Sequence, residues 1–159
     1  MRLRNQQSGF TLVELLVVMT ILLILFGLST VALGQPQATT SSQDTVSTLV
    51  NDLKTQQLAA MSGTVGSASS QQPTGIYIQS NQYTLFTGSV YNAGDSYNYV
   101  FTAPTGVSFS ATFPSSTVLF SKGDGAVSGF TAGSNTITIT TSSGSKLITI
   151  TRFGAITVT

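Results

Sequence analysis

The chain lacks cysteine, histidine and tryptophan, and only 7% of its residues are charged. Without cysteine no disulfide can join distant segments, so the fold must be held by packing and backbone hydrogen bonds. Without histidine the usual general base is missing, and zinc sites built from Cys and His are excluded. The glycines form neither a phosphate-binding loop nor a dinucleotide fingerprint. We therefore expect no enzyme activity, no cofactor and no metal site.

The remaining chemical groups give no stronger case for catalysis. A Ser–Lys pair with Lys54, Lys122 or Lys146 is arithmetically possible, but no motif supports it. Asp95 and Asp124 are isolated carboxylates, and each is better explained as a turn residue. A single carboxylate beside a lysine also argues against a calcium loop at 122–125.

Charge is nearly balanced, with a formal net charge of +1, so there is no case for strong attraction to nucleic acid. Two of the six basic residues, Arg2 and Arg4, precede Gly9, and a chain cut there keeps four basic and five acidic side chains. Ser, Thr, Gly, Asn and Gln occupy the places that Lys and Glu usually take. This composition favours an exported β-rich domain over a cytosolic enzyme.

The N-terminus combines a short basic segment with a long apolar one. Residues 1–9 are polar and basic, whereas 10–34 are almost wholly apolar, with Glu14 as the only charge. The uncharged run 15–34 reaches roughly 30 Å as a helix, the thickness of a bilayer core. The pattern predicts a transmembrane helix over 10–34. The positive-inside rule places its N-terminus in the cytoplasm and residues 35–159 outside.

A secretory signal peptide or a plain signal anchor is the simpler alternative for this segment. The apolar run is longer than a typical signal core, and residues 29–32 make a poor cleavage site. A plain signal-anchored surface protein remains an open alternative, and it predicts no cleavage after Gly9.

Glu14 requires a physical reason. An unpaired carboxylate in a membrane helix costs roughly 2.5–3.5 kcal/mol on insertion scales. A cut after Gly9 would create an amine at Phe10, four residues earlier and on the same helix face. Between neighbouring helices, one chain's amine can meet the other's carboxylate. Such a pair would set the register of assembly, because a misplaced subunit leaves a charge unpaired in apolar surroundings.

These residues carry a family resemblance. Residues 8–18, Ser-Gly-Phe-Thr-Leu-Val-Glu-Leu-Leu-Val-Val, resemble the class III signal of type IV pilins and type II secretion pseudopilins. The resemblance implies that prepilin peptidase cuts between Gly9 and Phe10 and N-methylates Phe10, and that Glu14 serves in docking and membrane extraction. It also implies as partners other pilin or pseudopilin subunits, an inner-membrane assembly platform and, before assembly, the lipid bilayer.

A second helix is predicted downstream. Pro36 interrupts or bends the first helix, and 37–43 are either a hinge or a weak helical continuation. Apolar residues at helical spacing then predict an amphipathic helix over 44–62, which Gly63 stops and whose apolar face covers a sheet. Asp44 is expected at the N-cap or in the first turn. The apolar stripe consists of Val46, Leu49, Val50, Leu53, Ala60 and Met61.

Residues 63–159 change to a period of two, which is typical of strands with one buried face. We expect seven to nine short antiparallel strands, a hairpin turn at 142–145 and loops at 92–95 and 122–125. The inward-facing residues are predicted to be Ile76, Ile78, Val107, Phe109, Ala111, Phe113, Ile137, Ile139, Ile148, Ile150, Ile156 and Val158.

The predicted fold class is therefore α+β, as in a pilin. A helical region over 10–62 contains the transmembrane and assembly helix (10–34) and the amphipathic helix (44–62), and an antiparallel sheet domain follows over 63–159. The C-terminal half resembles the H-type minor pseudopilin and FimT-type minor pilin branch, through Leu49-x3-Leu53 and the segments 118–121 and 148–156. That branch usually has an Ala-Arg pair on its second helix, where this chain has Gln56, Gln57 and Leu58. It often ends in Gly-Arg, whereas Ala155 follows Gly154 here.

Two functional hypotheses follow besides the signal anchor. The first is a structural subunit, a minor pseudopilin or minor pilin of a type II secretion pseudopilus or a type IV pilus, held in the inner membrane before assembly. The second is a DNA-binding minor pilin for DNA uptake, with Lys146 and Arg152 as contacts. Two cations neutralise about two phosphates, which gives weak affinity, so the sequence favours the assembly subunit over a nucleic-acid partner.

Overall fold

A computed structural model describes residues 11–31, 35–63 and 72–159 of the chain. It divides into two compact units, Met1–Gln37 and Ala38–Thr159. The described part is α+β, with antiparallel sheets as predicted. Its helices are α1 (Leu12–Val31) and α2 (Gln35–Ser62), and its strands are β1 (Thr74–Ile78), β2 (Gln82–Thr87), β3 (Tyr99–Thr102), β4 (Ser108–Ala111), β5 (Thr117–Phe120), β6 (Thr136–Thr141), β7 (Gly144–Ile150) and β8 (Ile156–Val158).

Helix α1 lies within the predicted transmembrane segment and is apolar along its length. All of its side chains from Leu12 to Gly27 are exposed in the single chain. Among the helices in the described ranges, none is long and apolar enough to cross a membrane. The predicted span also includes residues 10 and 32–34, which lie outside the described residues.

Helix α2 begins at Gln35, ahead of the predicted start at residue 44. Residues 37–43 are helical and belong to α2. Pro36 lies in the first turn, where its missing N–H removes no intrahelical hydrogen bond. The expectation that Asp44 caps this helix is wrong, because Asp44 lies inside it. Its carbonyl oxygen accepts a hydrogen bond from Thr48 Oγ1 at 2.8 Å.

The apolar stripe of α2 packs against the core, and five of its six predicted members are buried or partly buried: Val46, Leu49, Val50, Leu53 and Ala60. The sixth, Met61, is 44% exposed. The helix ends at Gly63, whose φ of 76° is a left-handed conformation that glycine adopts without strain. Its N–H donates to the carbonyl of Ala59 at 2.9 Å and so completes the last turn.

The first sheet has the strand order β3-β2-β1-β5. Ile76 on β1 lies opposite Leu85 on β2 and Val118 on β5, and these side chains face the core. Gly75 faces the other side, opposite Phe86. A Cβ at Gly75 would lie 2.6 Å from the Val118 carbonyl oxygen, so the close approach of these strands requires glycine.

The second sheet has the order β4-β6-β7-β8. On β6, Ile137 and Ile139 have no exposed surface, whereas Thr136 and Thr138, which alternate with them, are only partly buried. The same alternation on β7 buries its two isoleucines. The β6–β7 hairpin turns through residues 142–143, inside the predicted turn at 142–145.

Side chains from α2 and both sheets meet in one buried cluster. Tyr83 on β2 has no exposed surface, and its ring stacks on Phe101 with centroids 4.8 Å apart. Its hydroxyl donates a hydrogen bond of 2.5 Å to Asp52 Oδ2 on α2. Burial raises the pKa of Tyr83 far above its ordinary value, and the hydrogen bond to Asp52 raises this pKa further. A polar contact thus joins α2 to the first sheet within the core.

Eight strands in the described residues fall within the expected seven to nine. Of the four inward-facing residues predicted between 107 and 113, β4 contains Phe109 and Ala111, and a 3₁₀ turn over Pro114–Ser116 follows. Both acids of the sheet region form turns, as expected. Asp95 Oδ1 accepts the N–H of Tyr97 at 3.0 Å, and Asp124 Oδ1 accepts the N–H of Ala126 at 3.1 Å.

Candidate functional site: the helix start and the exposed cations

The start of α1 is fixed by its own sequence. Thr11 occupies the N-cap position, and its Oγ1 accepts a hydrogen bond from the backbone N–H of Glu14 at 3.3 Å. The carbonyl of Thr11 accepts the first intrahelical bond, from Leu15 N–H at 3.2 Å. Threonine followed three residues later by glutamate is the spacing of a capping box. The Thr-Leu-x-Glu part of the motif therefore also begins a helix.

Glu14 lies in the first turn of α1, where a negative charge interacts favourably with the helix dipole. Its side chain is exposed, and it is the only charged residue of this helix. The hydroxyl of Thr20 donates to the Leu16 carbonyl at 2.8 Å, so it needs no partner outside the helix. Glu14 is thus the one charged group that α1 could offer to an amine on a neighbouring chain.

The predicted processing residues, Gly9 and Phe10, lie outside the described residues. Their cleavage and methylation, and the pairing of the Phe10 amine with Glu14, stay predictions. The structure begins one residue beyond Phe10, at Thr11, and describes only the carboxylate side of the expected pair.

Lys146 lies on β7 opposite Ile139 and is exposed. The period of two places it on the same face as the buried Ile148, in the part of β7 before Ile148 that is exposed throughout. It lines a groove of about 390 Å³ between α2 and the β6–β7 hairpin, together with Val46 and Val158. Lys146 is the only charged residue among the lining residues of this groove.

Arg152 follows the end of β7 and is also exposed. Its carbonyl accepts a hydrogen bond from Val127 N–H at 2.9 Å, so its backbone serves in loop pairing. Arg152 is six positions after Lys146 in the sequence, a separation of at most about 20 Å for an extended chain. Of the two proposed DNA contacts, Lys146 therefore lies within β7 and Arg152 two residues after its end, and their binding to DNA stays a prediction.

Sequence reasoning gave no role to Gln57, which the structure places at a junction of loops. Its Nε2 donates to the carbonyls of Gly125 at 3.1 Å and of Phe153 at 3.4 Å. Gly154 packs so closely that an added Cβ would collide with the Gln57 amide. One indication of this contact was present in the sequence. Gln57 lies where the H-type branch usually has an Ala-Arg pair, and Gly154 lies where that branch often has Gly-Arg.

A family model described as the prokaryotic N-terminal methylation motif matches residues 4–30. No curated protein and no solved structure matches the chain. The matched segment contains the predicted cleavage site, Glu14 and most of α1. The match indicates a type IV pilin-like precursor that prepilin peptidase processes and that assembles with other pilins.

Proposed function

We propose that the chain is a minor pseudopilin or minor pilin, a structural subunit of a type II secretion pseudopilus or a type IV pilus. Prepilin peptidase cuts it after Gly9 and methylates Phe10. Helix α1 anchors the precursor in the inner membrane, with Ala38–Thr159 outside the cytoplasm, and after extraction it packs among the helices of other subunits. An inner-membrane platform drives this transfer.

The observation that carries the proposal is the coincidence of the matched motif at 4–30 with the character of α1. The helix is apolar on all sides, which is stable only among lipids or other apolar helices. Its one carboxylate, Glu14, lies in the first turn, four residues after the proposed new amine. Lipids satisfy the apolar surface, and a neighbouring subunit can satisfy both the apolar surface and the carboxylate.

The mass of the N-terminal peptide tests the processing step. The full chain is expressed with an active prepilin peptidase and, as a control, with a catalytically inactive one. We expect a mature chain that begins at N-methylated Phe10 only with the active enzyme. An intact Met1 leader beside an active peptidase would overturn the proposal and favour the plain signal-anchored protein.

Cross-linked partner subunits show whether the mature chain belongs to a type II secretion pseudopilus or to a type IV pilus. Cross-linking in cells that carry a type II secretion system or a type IV pilus should recover other pseudopilins or pilins. A minor subunit should be far less abundant than its cross-linked partner in sheared filaments. Equal abundance along the whole filament would instead make the chain a major subunit.

A further inference from the structure

A second site lies on the first sheet, on the face opposite the core. An open groove of about 670 Å³ lies there. We call it the tyrosine groove. Tyr77 and Tyr91 line it together with Gly129, with apolar residues and with five residues that carry hydroxyl groups. The apolar residues are Val90, Phe113, Pro114 and Leu119. The hydroxyl-bearing side chains besides the tyrosines are Ser89, Ser115, Ser116, Thr117 and Ser128.

The two tyrosines form a preassembled aromatic wall. Their rings stack with centroids 4.3 Å apart and an interplanar angle of 18°. Tyr91 comes from the connection between β2 and β3, and it also contacts the edge of Phe86, with centroids 5.6 Å apart. Because Phe86 is buried in the sheet, Tyr91 is held in place without a ligand, although both tyrosines remain partly exposed.

The groove is electrically neutral, since none of its lining residues is an acid or a base. A charged ligand placed there would lose hydration without gaining a counter-charge, which costs free energy. The lining therefore selects against phosphate, carboxylate and ammonium groups. It selects for a ligand that has hydroxyl groups and apolar C–H faces but no charge.

The rim of the groove holds a strained segment. Ser115 and Ser116 both have a φ of 52°, a left-handed conformation that costs non-glycine residues of order 1–3 kcal/mol each. Ser116 N–H donates to the Phe113 carbonyl at 2.9 Å, and Thr117 Oγ1 donates to the Ser115 carbonyl at 3.0 Å. Strained backbone of this kind concentrates at ligand-binding positions, and here both strained residues line the groove.

The strand edge beside the groove is poorly suited to an extended peptide. A peptide would bind there by adding a strand to β5. However, Thr117 N–H already donates to the Pro114 carbonyl, and the Leu119 carbonyl already accepts from Ser128 N–H at 2.7 Å. These backbone groups are therefore occupied, which favours a ligand bound by side chains.

We propose that the tyrosine groove binds a short neutral saccharide. A sugar ring offers an apolar C–H face, which stacks on an aromatic ring, and a rim of hydroxyl groups, which exchange hydrogen bonds with serine and threonine. Both features match the groove, and neither requires charge. This inference does not depend on the proposed filament function, and a subunit without it would still be processed and assembled.

Calorimetric titration of the full chain tests this site. The chain is kept in micelles of a detergent without a sugar headgroup, because such headgroups would compete. The probes are neutral oligosaccharides of the glucose and N-acetylglucosamine series, with a sulfated oligosaccharide and a neutral peptide as class controls. We expect a neutral oligosaccharide to bind, and the sulfated one and the peptide not to bind.

Two variants locate the binding. Ser115→Asp puts a charge on the exposed rim and should weaken binding about tenfold or more, equivalent to about 1.4 kcal/mol. Tyr91→Ala should do the same by removing the aromatic wall, and its fold is checked by circular dichroism. Ser143→Asp, the same change at the exposed β6–β7 turn, is the matched control and should bind as the parent chain does.

Several results would overturn the inference. The first is that no neutral probe binds. The second is that Ser115→Asp and Tyr91→Ala both bind as strongly as the parent chain. The third is that the chain prefers the sulfated sugar or the peptide. Loss of binding in Ser115→Asp with retention in Ser143→Asp would support it, even if Tyr91→Ala failed to fold.

Discussion

The apolar side chains of the two helices differ in burial. In α2, Leu49 and Leu53 have no exposed surface, because the two sheets cover one side of the helix. In α1, Leu12 is 80% exposed and Phe26 is 75% exposed. Apolar residues lie on every side of α1, so no single sheet could cover them. The unit Ala38–Thr159 contains its own core, whereas α1 depends on surroundings that the single chain does not supply.

Among substitutions that test the difference between the two helices, the largest effect is expected at Glu14. Glu14→Ala should lower incorporation into filaments about a hundredfold or more, since an unpaired charge left in apolar packing costs about 3–5 kcal/mol. The readout is the ratio of filament-bound to membrane-bound chain. Cleavage after Gly9 should continue unchanged. Thr20→Val is a matched control, because the Thr20 hydroxyl is satisfied within its own helix. Normal incorporation of Glu14→Ala would refute the docking role.

Alanine substitutions of one leucine in each helix should have different effects on the free energy of unfolding. Leu53→Ala should lower the free energy of unfolding of the Ala38–Thr159 unit by about 2–5 kcal/mol, because it leaves a cavity in a fully buried site. Leu22→Ala, at a position 55% exposed in α1, should leave that free energy unchanged. Urea unfolding of the full chain in micelles, followed by near-ultraviolet circular dichroism, measures both. Equal losses would show that α1 contributes to the core of the unit.

Tyr83 makes the stability of the sheet unit depend on alkaline pH. Its pKa is raised in the folded chain, so above pH 10 the unfolded phenol ionises while the buried one stays protonated. Stability is therefore complete below about pH 10 and falls as pH rises further, by up to about 1.4 kcal/mol per pH unit. Urea titrations at several pH values measure this slope.

Tyr83→Phe should remove that alkaline slope. At neutral pH it should also cost about 1–3 kcal/mol, because the partly buried Asp52 loses its hydrogen bond. Tyr77→Phe, at a partly exposed tyrosine outside the core, is the control and should leave both quantities unchanged. If the alkaline loss of stability persisted in Tyr83→Phe, another titrating group would be its cause.

The smallest effect is expected at Gln57. Gln57→Ala should lower stability by about 1 kcal/mol, because two loop carbonyls lose a donor. Amide hydrogen exchange should increase in the loops around Gly125 and Phe153 more than elsewhere. Thr55→Ala, at an exposed position of α2, is the matched control. Unchanged exchange in both loops would show that other contacts hold them.

Local patterns predicted much of this fold. The spacing of Leu49, Leu53 and Ala60 identified the buried stripe of α2, and the period of two identified the buried isoleucines of the second sheet. The start of α2 was predicted nine residues too late, at 44, because proline, which breaks a helix interior, is tolerated in a first turn. The division of the strands into two sheets could not be predicted, since pairing partners are set by contacts far apart in sequence.

The sites were predictable to different degrees. The processing motif is contiguous, so residues 8–14 could be identified from the sequence alone. The tyrosine groove joins segments around residues 77, 91, 115 and 128, and no local pattern links them. Gln57 was overlooked for the same reason, since its partners follow 68 and 96 residues later.

The position of the N-cap has a consequence for maturation. Thr11 lies on the mature side of the proposed cut after Gly9, so the residue that starts α1 stays with the subunit. Removing the leader would then take away Arg2 and Arg4 and create an amine without unwinding the first turn. Maturation would change the electrostatics of the membrane-facing end in one step and leave the shape of the helix intact. In such a subunit, proteolysis changes the charge at the N-terminus and leaves the helix start at Thr11 in place.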